Sequence, residues 1–565
     1  MKKTAIIILM ALVAVSGYAQ SAYSALLLSE NDYEGTARTA AMGNAFTALG
    51  GDLGAVSINP AASAVNNYSQ FSITPGISIL TSSATGVFPL DDGDLPYFQR
   101  TMRSTRTKFN FPNVGVSLNF STGRKSGIKS ISAAFIVNKT ASYDQNLYAA
   151  GTNATTSFIG QMADEASAKD NTGNLLFPSS ALGAENAFEQ MPWKYWKYVI
   201  GYKTGMIDPY NDIYVGATEK VYDDNTAFMG GTVDQAYGRN ISGSKYEYLL
   251  NFGMNISDFI YLGANLTLNS VDYSYSEYFK ETAIDPNEFE ITYEDEVGNI
   301  IPELTKKFNR MKYNSSYSYS GIGYSAKLGI IVTPMKGLRI GAALQTPTAM
   351  TVDESWEESG ETEFSGNGGG KYSSESPYGE NRWSFRSPLK ANLGVAYTFG
   401  RLGLISVDYE LSDYSNLRYK ESEYTERSIL EDINAEMKES YGVAHKLRVG
   451  GEFKPIPELA VRAGYNLSTS AEKAIWDGWE YVKLSKPTLS HKAAIGLGYS
   501  SKKSFFADIA CTRSFLPKEY FMPYSDYVYT YNKDGDTIVD PNFYAPEILI
   551  KSALWNVILT IGFRF

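Results

Sequence analysis

The run from Met191 to Tyr198, which reads MPWKYWKY, is the part of the sequence best suited to contact an apolar ligand. Tryptophan and tyrosine have an apolar body and a polar tip, so closely spaced rings and lysines can cover an acyl chain or lie against lipid headgroups. The same run could instead form a small core within a loop, or anchor the chain at an interface, and the sequence leaves these interpretations open. The candidate ligand-binding residues are Phe188, Trp193, Lys194, Tyr195, Trp196, Lys197 and Tyr198.

The sequence offers little for catalysis or metal binding. His445 and His491 are the only histidines, and no Gly-x-Ser-x-Gly elbow, phosphate-binding loop or His-Glu-x-x-His motif occurs. One cysteine excludes a disulfide framework, and two histidines exclude a multi-histidine metal centre. The Asp534-Gly535-Asp536 run lacks the spacing and terminal glutamate of a calcium loop and is more simply a hairpin turn. We therefore assign no catalytic residue, no metal and no cofactor.

Residues 1–19 are typical of a secretory signal peptide. Lys2 and Lys3 precede an apolar stretch over residues 5–15, and Gly17-Tyr18-Ala19 places small residues at the cleavage position. The protein is therefore predicted to be exported. Its net charge of -11 argues against nucleic-acid binding, which requires a basic surface.

Most of the remaining chain alternates between apolar and polar or small residues with a period of two. Successive side chains of a β-strand point to opposite faces, so this pattern predicts strands whose two faces contact different solvents. The last segment shows it well, with apolar residues at Trp555, Val557, Leu559, Ile561, Phe563 and Phe565.

Such runs predict about fourteen strands, an even number as in single-chain outer-membrane barrels. They cover residues 68–80, 113–121, 129–143, 246–256, 259–278, 315–333, 337–354, 382–399, 402–414, 443–454, 458–469, 489–500, 504–515 and 549–565.

The predicted connections alternate between short and long along the whole chain. Short links at 122–128, 257–258, 334–336, 400–401, 455–457 and 501–503 alternate with long ones at 144–245, 280–314, 355–381, 415–442 and 516–548. Transmembrane barrels have short periplasmic turns and long extracellular loops, whereas a secreted β-sandwich needs no such rhythm. We predict an all-β fold, a transmembrane antiparallel β-barrel in the bacterial outer membrane, with both chain ends on the periplasmic side.

Charged residues fall on the face predicted to point into this barrel. One of the cations could bind a carboxylate headgroup, or opposite charges could pair across a polar lumen, and pairing is the simpler interpretation. The residues are Lys390, Asp408, Glu410, Lys446, Arg448, Glu452, Arg462, Lys492 and Arg564.

Residues 20–63 precede the first strand and are not needed for a barrel wall. Their motifs are Gly35-Thr36-Ala37-Arg38, 42–46 (MGNAF), Gly51-Asp52 and Asn59-Pro60-Ala61. The segment resembles the N-terminal hatch of FadL-type outer-membrane transporters of long-chain fatty acids and other hydrophobic compounds. Barrel stretches at 338–348, 403–409 and 462–465 are similar to a Bacteroidetes-type branch whose members are sometimes labelled hemin receptors.

The resemblance implies three regions: a signal peptide over 1–19, a hatch plugging the lumen over 20–63, and a barrel with long extracellular loops over 64–565. It also implies passive uptake, with extracellular loops capturing a hydrophobic molecule and Asn59, Pro60 and Ala61 anchoring the hatch that gates its release. In the family the molecule leaves sideways beside an inward kink in the third strand. The third strand predicted here contains neither Gly nor Pro, so the sequence gives no sign of that kink.

The partners implied are hydrophobic small molecules and outer-membrane lipid, with the protein a monomer. The cargo remains open between a fatty acid, an aromatic hydrocarbon and heme. Alternative functions on the same barrel are a surface receptor for heme or a macromolecule, a plain porin, and an outer-membrane enzyme using the two histidines.

Overall fold

The computed structural model describes residues 22–87, 98, 101–221, 227–293, 295, 299–423, 425–476, 481–501, 504–524, 529–531, 537–539 and 547–565. The predicted signal peptide and the hairpin turn predicted around Asp534 lie outside the described residues.

Fourteen antiparallel strands form the wall of a closed barrel, as the alternation predicts. Three of them, β7, β8 and β9, are interrupted and continue as a second segment. The strands are β1 Gln70–Val87, β2 Met102–Ser121, β3 Ile128–Ser142, β4 Val233–Ile256, β5 Ile260–Ala283, β6 Lys306–Met335, β7 Leu338–Gln345 with Ala349–Ser365, β8 Gly379–Arg386 with Lys390–Thr398, β9 Gly403–Asp413 with Arg418–Ser422, β10 Val443–Ile456, β11 Leu459–Thr469, β12 Leu489–Ser500, β13 Phe505–Phe515 and β14 Glu547–Arg564.

The barrel closes between the first and last strands. β1 pairs with β2 on one side and with β14 on the other, the latter from Gln70 opposite Arg564 to Val87 opposite Glu547. Closure leaves no unpaired edge strand in the wall, which a bilayer requires because lipid cannot hydrogen-bond to the backbone.

The wall is apolar outside and polar inside. On β10, Val443, Leu447 and Phe453 are 41%, 43% and 57% exposed, whereas Arg448 and Glu452 are 2% and 5% exposed. A soluble protein would bury the first set and expose the second. The observed order is that of a barrel whose exterior contacts lipid, and it confirms the predicted transmembrane fold.

Several strands extend beyond their predicted ends on the extracellular side. β4 begins at Val233 and β6 at Lys306, so parts of the predicted loops 144–245 and 280–314 are strand. Outside the lipid both faces carry polar residues such as Ser, Tyr and Glu. The alternation therefore disappears there, while the backbone ladder continues.

The extracellular ends are covered by folded loops, which we call the loop cap. Its helices are α4 Phe158–Ala166, α5 Ser179–Leu182, α6 Ala187–Gln190, α7 Trp196–Thr204 and α8 Arg427–Ser440, with short 3-10 helices at Trp193–Tyr195, Pro286–Phe289 and Tyr414–Asn416. Short strands lie at Gln145–Asn153, Ile207–Tyr210, Ile213–Gly216, Glu219–Val221, Ala227–Met229, Glu290–Ile291, Gly370–Glu375, Ala474–Trp476, Tyr481–Lys483, Glu519–Phe521, Tyr529–Tyr531 and Thr537–Val539.

Residues 22–65, which we call the N-terminal segment, lie inside the barrel. They form α1 Ala22–Ser29, α2 Ala37–Ala41, α3 Leu53–Ile58 and a 3-10 helix Pro60–Val65. The segment is hydrogen-bonded to the wall on several sides, for example from the Ala37 amide to Thr560 Oγ1 (2.7 Å) and from the Thr47 amide to Asp408 Oδ2 (2.6 Å).

Candidate functional site

An apolar chamber lies inside the extracellular half of the barrel, and α1 fills it. The helix buries Ala22, Ala25, Leu26 and Leu28, so it is covered on more than one face, as expected for a helix that is apolar all round. The chamber is lined by residues of the wall and of α8: Val271, Tyr273, Tyr319, Met350, Val352, Trp383, Phe385, Tyr414, Leu417, Tyr419, Leu430, Ile433, Met437, Tyr441, Ala444 and Ala471.

Four lysines converge on the backbone at the end of α1, and we call them the lysine cluster. Lys245 Nζ donates to the carbonyls of Leu28 (2.7 Å) and Glu30 (2.5 Å), and Lys390 Nζ donates to that of Ser29 (2.9 Å). Lys446 donates to the Asn31 carbonyl, and Lys492 binds the Asp32 carboxylate at 2.5 Å. The last carbonyls of a helix lack partners within it, and cations are favourable there.

Asp32 supplies an anion to this cluster. Burial opposes its ionisation, but the adjacent ammonium of Lys492 outweighs that effect and holds the pKa of the carboxyl below its usual value. The remaining contacts of the cluster with the segment are to neutral carbonyls.

The third strand does have an inward kink, so the expectation from its composition was wrong. Lys139 pairs with Tyr246 of β4 and Ala141 with Lys245, which leaves Thr140 as an extra residue. Asn138 to Ala141 are all buried instead of alternating. A β-bulge produces this bend without Gly or Pro.

The kink separates β3 from β2. Their pairing ends at Asn113 opposite Asn138, although β2 itself continues outward to Met102. The backbone carbonyls freed on β3 accept instead from the N-terminal segment, that of Thr140 from the Asp32 amide (2.6 Å) and that of Lys139 from the Glu34 amide (3.1 Å). The segment thus lies across the gap between two wall strands.

Asn59, Pro60 and Ala61 hold the other end of the segment against β4 to β7. Asn59 Nδ2 donates to the carbonyls of Thr47 (2.6 Å) and Ile330 (3.2 Å), and its Oδ1 accepts from the Ala61 amide (3.0 Å). The Pro60 carbonyl accepts from Asn251 Nδ2 (2.9 Å). A gating role for these residues stays a prediction.

A band of inward-facing glycines lets the segment lie directly on the wall, and the sequence analysis missed it. A Cβ on Gly329 would lie 1.9 Å from Asn59 Oδ1, and one on Gly450 would lie 2.3 Å from the Met42 carbonyl. The sequence signal is glycine at an inward position in consecutive strands. The band comprises Gly253, Gly263, Gly329, Gly341, Gly394, Gly450 and Gly464, several of them cross-strand neighbours.

The inward-facing charges are mostly paired. Arg462 binds Glu452 (2.7 Å) and Asp508 (2.5 Å), and Arg448 binds Glu410. The N-terminal segment takes part as well, because Arg38 binds Glu452 at 3.1 Å. These pairs border a polar cavity of about 320 Å³ near the periplasmic end, between the segment and the wall.

The aromatic run of the loop cap packs largely on itself. Trp196 contacts Phe188 and Trp193 contacts Trp356, with ring centroids 5.8 and 5.3 Å apart. The Tyr198 hydroxyl donates to Glu165 (3.1 Å), which also pairs with Lys197. Lys194 lies over the ring of Tyr195 at 4.8 Å. The run therefore belongs to the core of the loop cap, separate from the chamber, and ligand binding by it stays a prediction.

Both histidines lie on the outer face of the wall, away from the lumen. The Tyr409 hydroxyl contacts His445 Nδ1 at 2.6 Å, and the Tyr465 hydroxyl contacts His491 Nδ1 at 2.5 Å. In the described part of the chain, no three or more His, Cys, Asp or Glu side chains are grouped to hold a metal ion.

Among the described helices, none combines the length and hydropathy needed to cross a bilayer.

No family model and no curated protein matches the chain. Solved structures that resemble it include a Pseudomonas aeruginosa FadL homologue, with 12% identity, 94% of this chain and 98% of that chain covered, and a TM-score of 0.47. Others are the P. putida toluene transporter TodX (13%, 94% and 99%, 0.45) and the Ralstonia pickettii toluene transporter TbuX (10%, 95% and 100%, 0.43). These likenesses are too distant to carry an argument about function, which therefore rests on the residues of this chain.

Proposed function

We propose that this protein is a FadL-type outer-membrane channel for the passive uptake of hydrophobic molecules, acting as a monomer. The observation that carries the proposal is the apolar chamber inside a polar-lined barrel, filled by a helix of the chain itself. An ordinary porin needs no such chamber, since its lumen is polar and open to water. Residues 20–63 are the hatch, and α1 is the part of it that the ligand replaces.

Long-chain fatty acid is the cargo that fits the site best. An acyl chain would occupy the chamber, and its carboxylate would reach the lysine cluster. Charge-assisted hydrogen bonds are about twice as strong as neutral ones, so a carboxylate would compete well with the backbone carbonyls now bound there. A monoaromatic hydrocarbon has no group for these lysines. Heme has carboxylates, but both histidines of the chain lie outside the lumen.

The exit proposed is sideways, through the gap between β2 and β3. The exposed rings of Phe109 and Phe111 on β2 place this gap within the lipid-facing band of the wall. The N-terminal segment now closes the gap through Asp32 and Glu34. Withdrawal of α1 from the chamber would also pull on these residues, so one movement would admit the ligand and open its exit.

Uptake of labelled oleate by cells that lack their own fatty-acid channel tests the proposal. The cells would carry the intact protein, no protein, or a protein lacking residues 21–58. We expect saturable uptake with the intact protein only, and unselective permeability to polar solutes with the deletion. Oleate uptake equal to that of cells without the protein, with the barrel folded in the outer membrane, would contradict the cargo. Labelled toluene and heme in the same cells would show which other cargo is carried.

A surface receptor is the second candidate, because the loop cap has an apolar core of its own. Oleate uptake that survives deletion of α4 to α7 would assign the cap a separate binding role. An enzyme is the least supported function. We expect H445A/H491A to retain full uptake, and a complete loss with the barrel intact would reopen that possibility.

A further inference from the structure

Two arginines face each other directly on the outer surface of the wall. Arg386 at the end of the first β8 segment pairs in register with Arg418, which begins the second β9 segment. Both side chains are exposed, and the residues beside them, Phe385 and Tyr419, are 2% and 3% exposed and point into the chamber. The arginines therefore point away from the lumen.

The pair lies where the lipid-facing band of the wall ends on the extracellular side. Leu389, Leu393 and Val395 of β8 are 44%, 59% and 49% exposed and continue this band towards the periplasmic turn at 399–402. Three residues outward of Leu389 comes Arg386. Its height is that of the headgroups of the outer leaflet, with the acyl region directly below.

Neither arginine has a protein partner. Nearby on the same face, Arg382 pairs with Asp353 at 2.5 Å, as expected when a carboxylate is within reach. No ion pair or hydrogen bond joins Arg386 or Arg418 to any described residue, including exposed Glu421. Like charges directly opposite each other on adjacent strands are destabilising, and exposed Lys420 adds a third positive charge.

An anion between the two guanidinium groups would remove this repulsion. Each guanidinium can bind phosphate through two parallel hydrogen bonds, a geometry that lysine cannot reproduce. The anion must also be available at this height of the membrane, in a chain whose own net charge is -11.

We propose that Arg386 and Arg418 bind a phosphate group of the phosphorylated glycolipid in the outer leaflet of the outer membrane. The acyl chains of that lipid lie along the apolar side chains of β8 and β9, including Leu389, Leu393 and Val407. The site is on the exterior of the barrel and independent of the uptake path, so its failure would leave the proposed function intact.

Lipid binding to the purified full-length protein in detergent tests this site. The probes are diphosphorylated lipid A, the same lipid without its phosphates, and phosphatidylglycerol, with bound lipid counted by native mass spectrometry. R386Q/R418Q is compared with K336Q/R401Q, which removes the same charge at exposed positions of the periplasmic turns. Heat-dependent migration in gels confirms that each barrel is folded.

We expect R386Q/R418Q to bind diphosphorylated lipid A about tenfold or more weakly than the unchanged protein, because charge-assisted bonds are lost. K336Q/R401Q should bind it normally, and the lipid without phosphates should bind all three proteins equally weakly. Unchanged affinity in R386Q/R418Q, or equal preference for phosphatidylglycerol, overturns the proposal.

Discussion

Three lysines of the cluster hold backbone carbonyls at the end of a helix, where a carboxylate would bind them more strongly. Lys245 and Lys390 are 3% and 2% exposed, so their charges are shielded from water. A buried charge is costly unless it is hydrogen-bonded, and the helix end meets that need while the chamber holds no ligand. The helix thus behaves as a weak internal substitute for an anionic ligand.

Replacing these lysines should weaken ligand binding. We expect K245M/K390M to bind oleate at least about tenfold more weakly, since two charge-assisted bonds to the carboxylate are lost. An apolar ligand without a carboxylate should be affected much less. Fluorescence titration in detergent measures both affinities, with K336M on an exposed periplasmic turn as the control. Equal losses for charged and uncharged ligands would contradict a headgroup role.

The Asp32–Lys492 pair should hold the segment across a wide pH range. Because the pKa of Asp32 is lowered, its contribution is present above the usual aspartate pKa and is lost only as pH falls through the lowered value. With cysteine at position 23 in a C511S background, thiol labelling should therefore stay slow between about pH 8 and about pH 5 in steps corrected for thiolate fraction. D32N should label faster throughout. A sharp rise in the unchanged segment near about pH 6 would contradict this assignment.

Neighbouring glycines on β10 provide a matched pair for the packing of the segment. Gly450 faces inward against the Met42 carbonyl, whereas a Cβ on Gly451 would meet only the Leu404 carbonyl at 3.8 Å. We expect G450A to lower the free energy of unfolding by about 1–3 kcal/mol and to raise ion conductance, because the segment is pushed off the wall. G451A should change neither quantity. Urea unfolding in liposomes and planar-bilayer recordings measure the two effects, and identical behaviour of the variants would argue against tight seating.

At the scale of single elements, the kink in β3 is the feature with the largest functional weight. Its extra residue, Thr140, is fully buried, and its carbonyl accepts from Asp32 of the segment. The element is therefore both part of the wall and a docking site for the hatch.

Deleting Thr140 should straighten β3 and restore its pairing with β2. We expect oleate uptake to fall at least about tenfold while oleate binding in detergent is retained, because the exit closes but the chamber remains. The control is deletion of Lys129, the extra residue in the second irregularity of β3, near the periplasmic turn. If both deletions leave uptake unchanged, the lateral exit is not used.

The wall strands could be predicted from the sequence because each carries its own signal. Alternation within β10 or β12 depends only on which solvent each face contacts, so no knowledge of neighbours is needed. The kink could not be predicted, because it depends on the register of Lys139 and Ala141 against β4 and on the segment that binds the freed carbonyls. Composition alone, the absence of Gly and Pro, pointed the wrong way.

At the scale of the whole molecule, the site joins residues that are far apart in the chain. Lys390, Lys446 and Lys492 could be placed on the inward face from alternation, but Lys245 fell in a predicted loop. Their common partner, the end of α1, is visible only once the segment is folded into the barrel. The aromatic run was correctly seen as a cluster, but its packing within the loop cap depends on contacts such as Trp193 with Trp356 of β7.

The proposed uptake requires that a hydrophobic ligand take the place of α1 in the chamber. A spin label at position 23, on the exposed side of α1, reports this directly in protein reconstituted into liposomes, with C511S removing the native thiol and a label at position 125 as the control. We predict that oleate raises the mobility of the label at position 23 in a saturable way and leaves that at position 125 unchanged. A label that stays immobile at oleate concentrations that saturate binding would contradict the proposed displacement of α1.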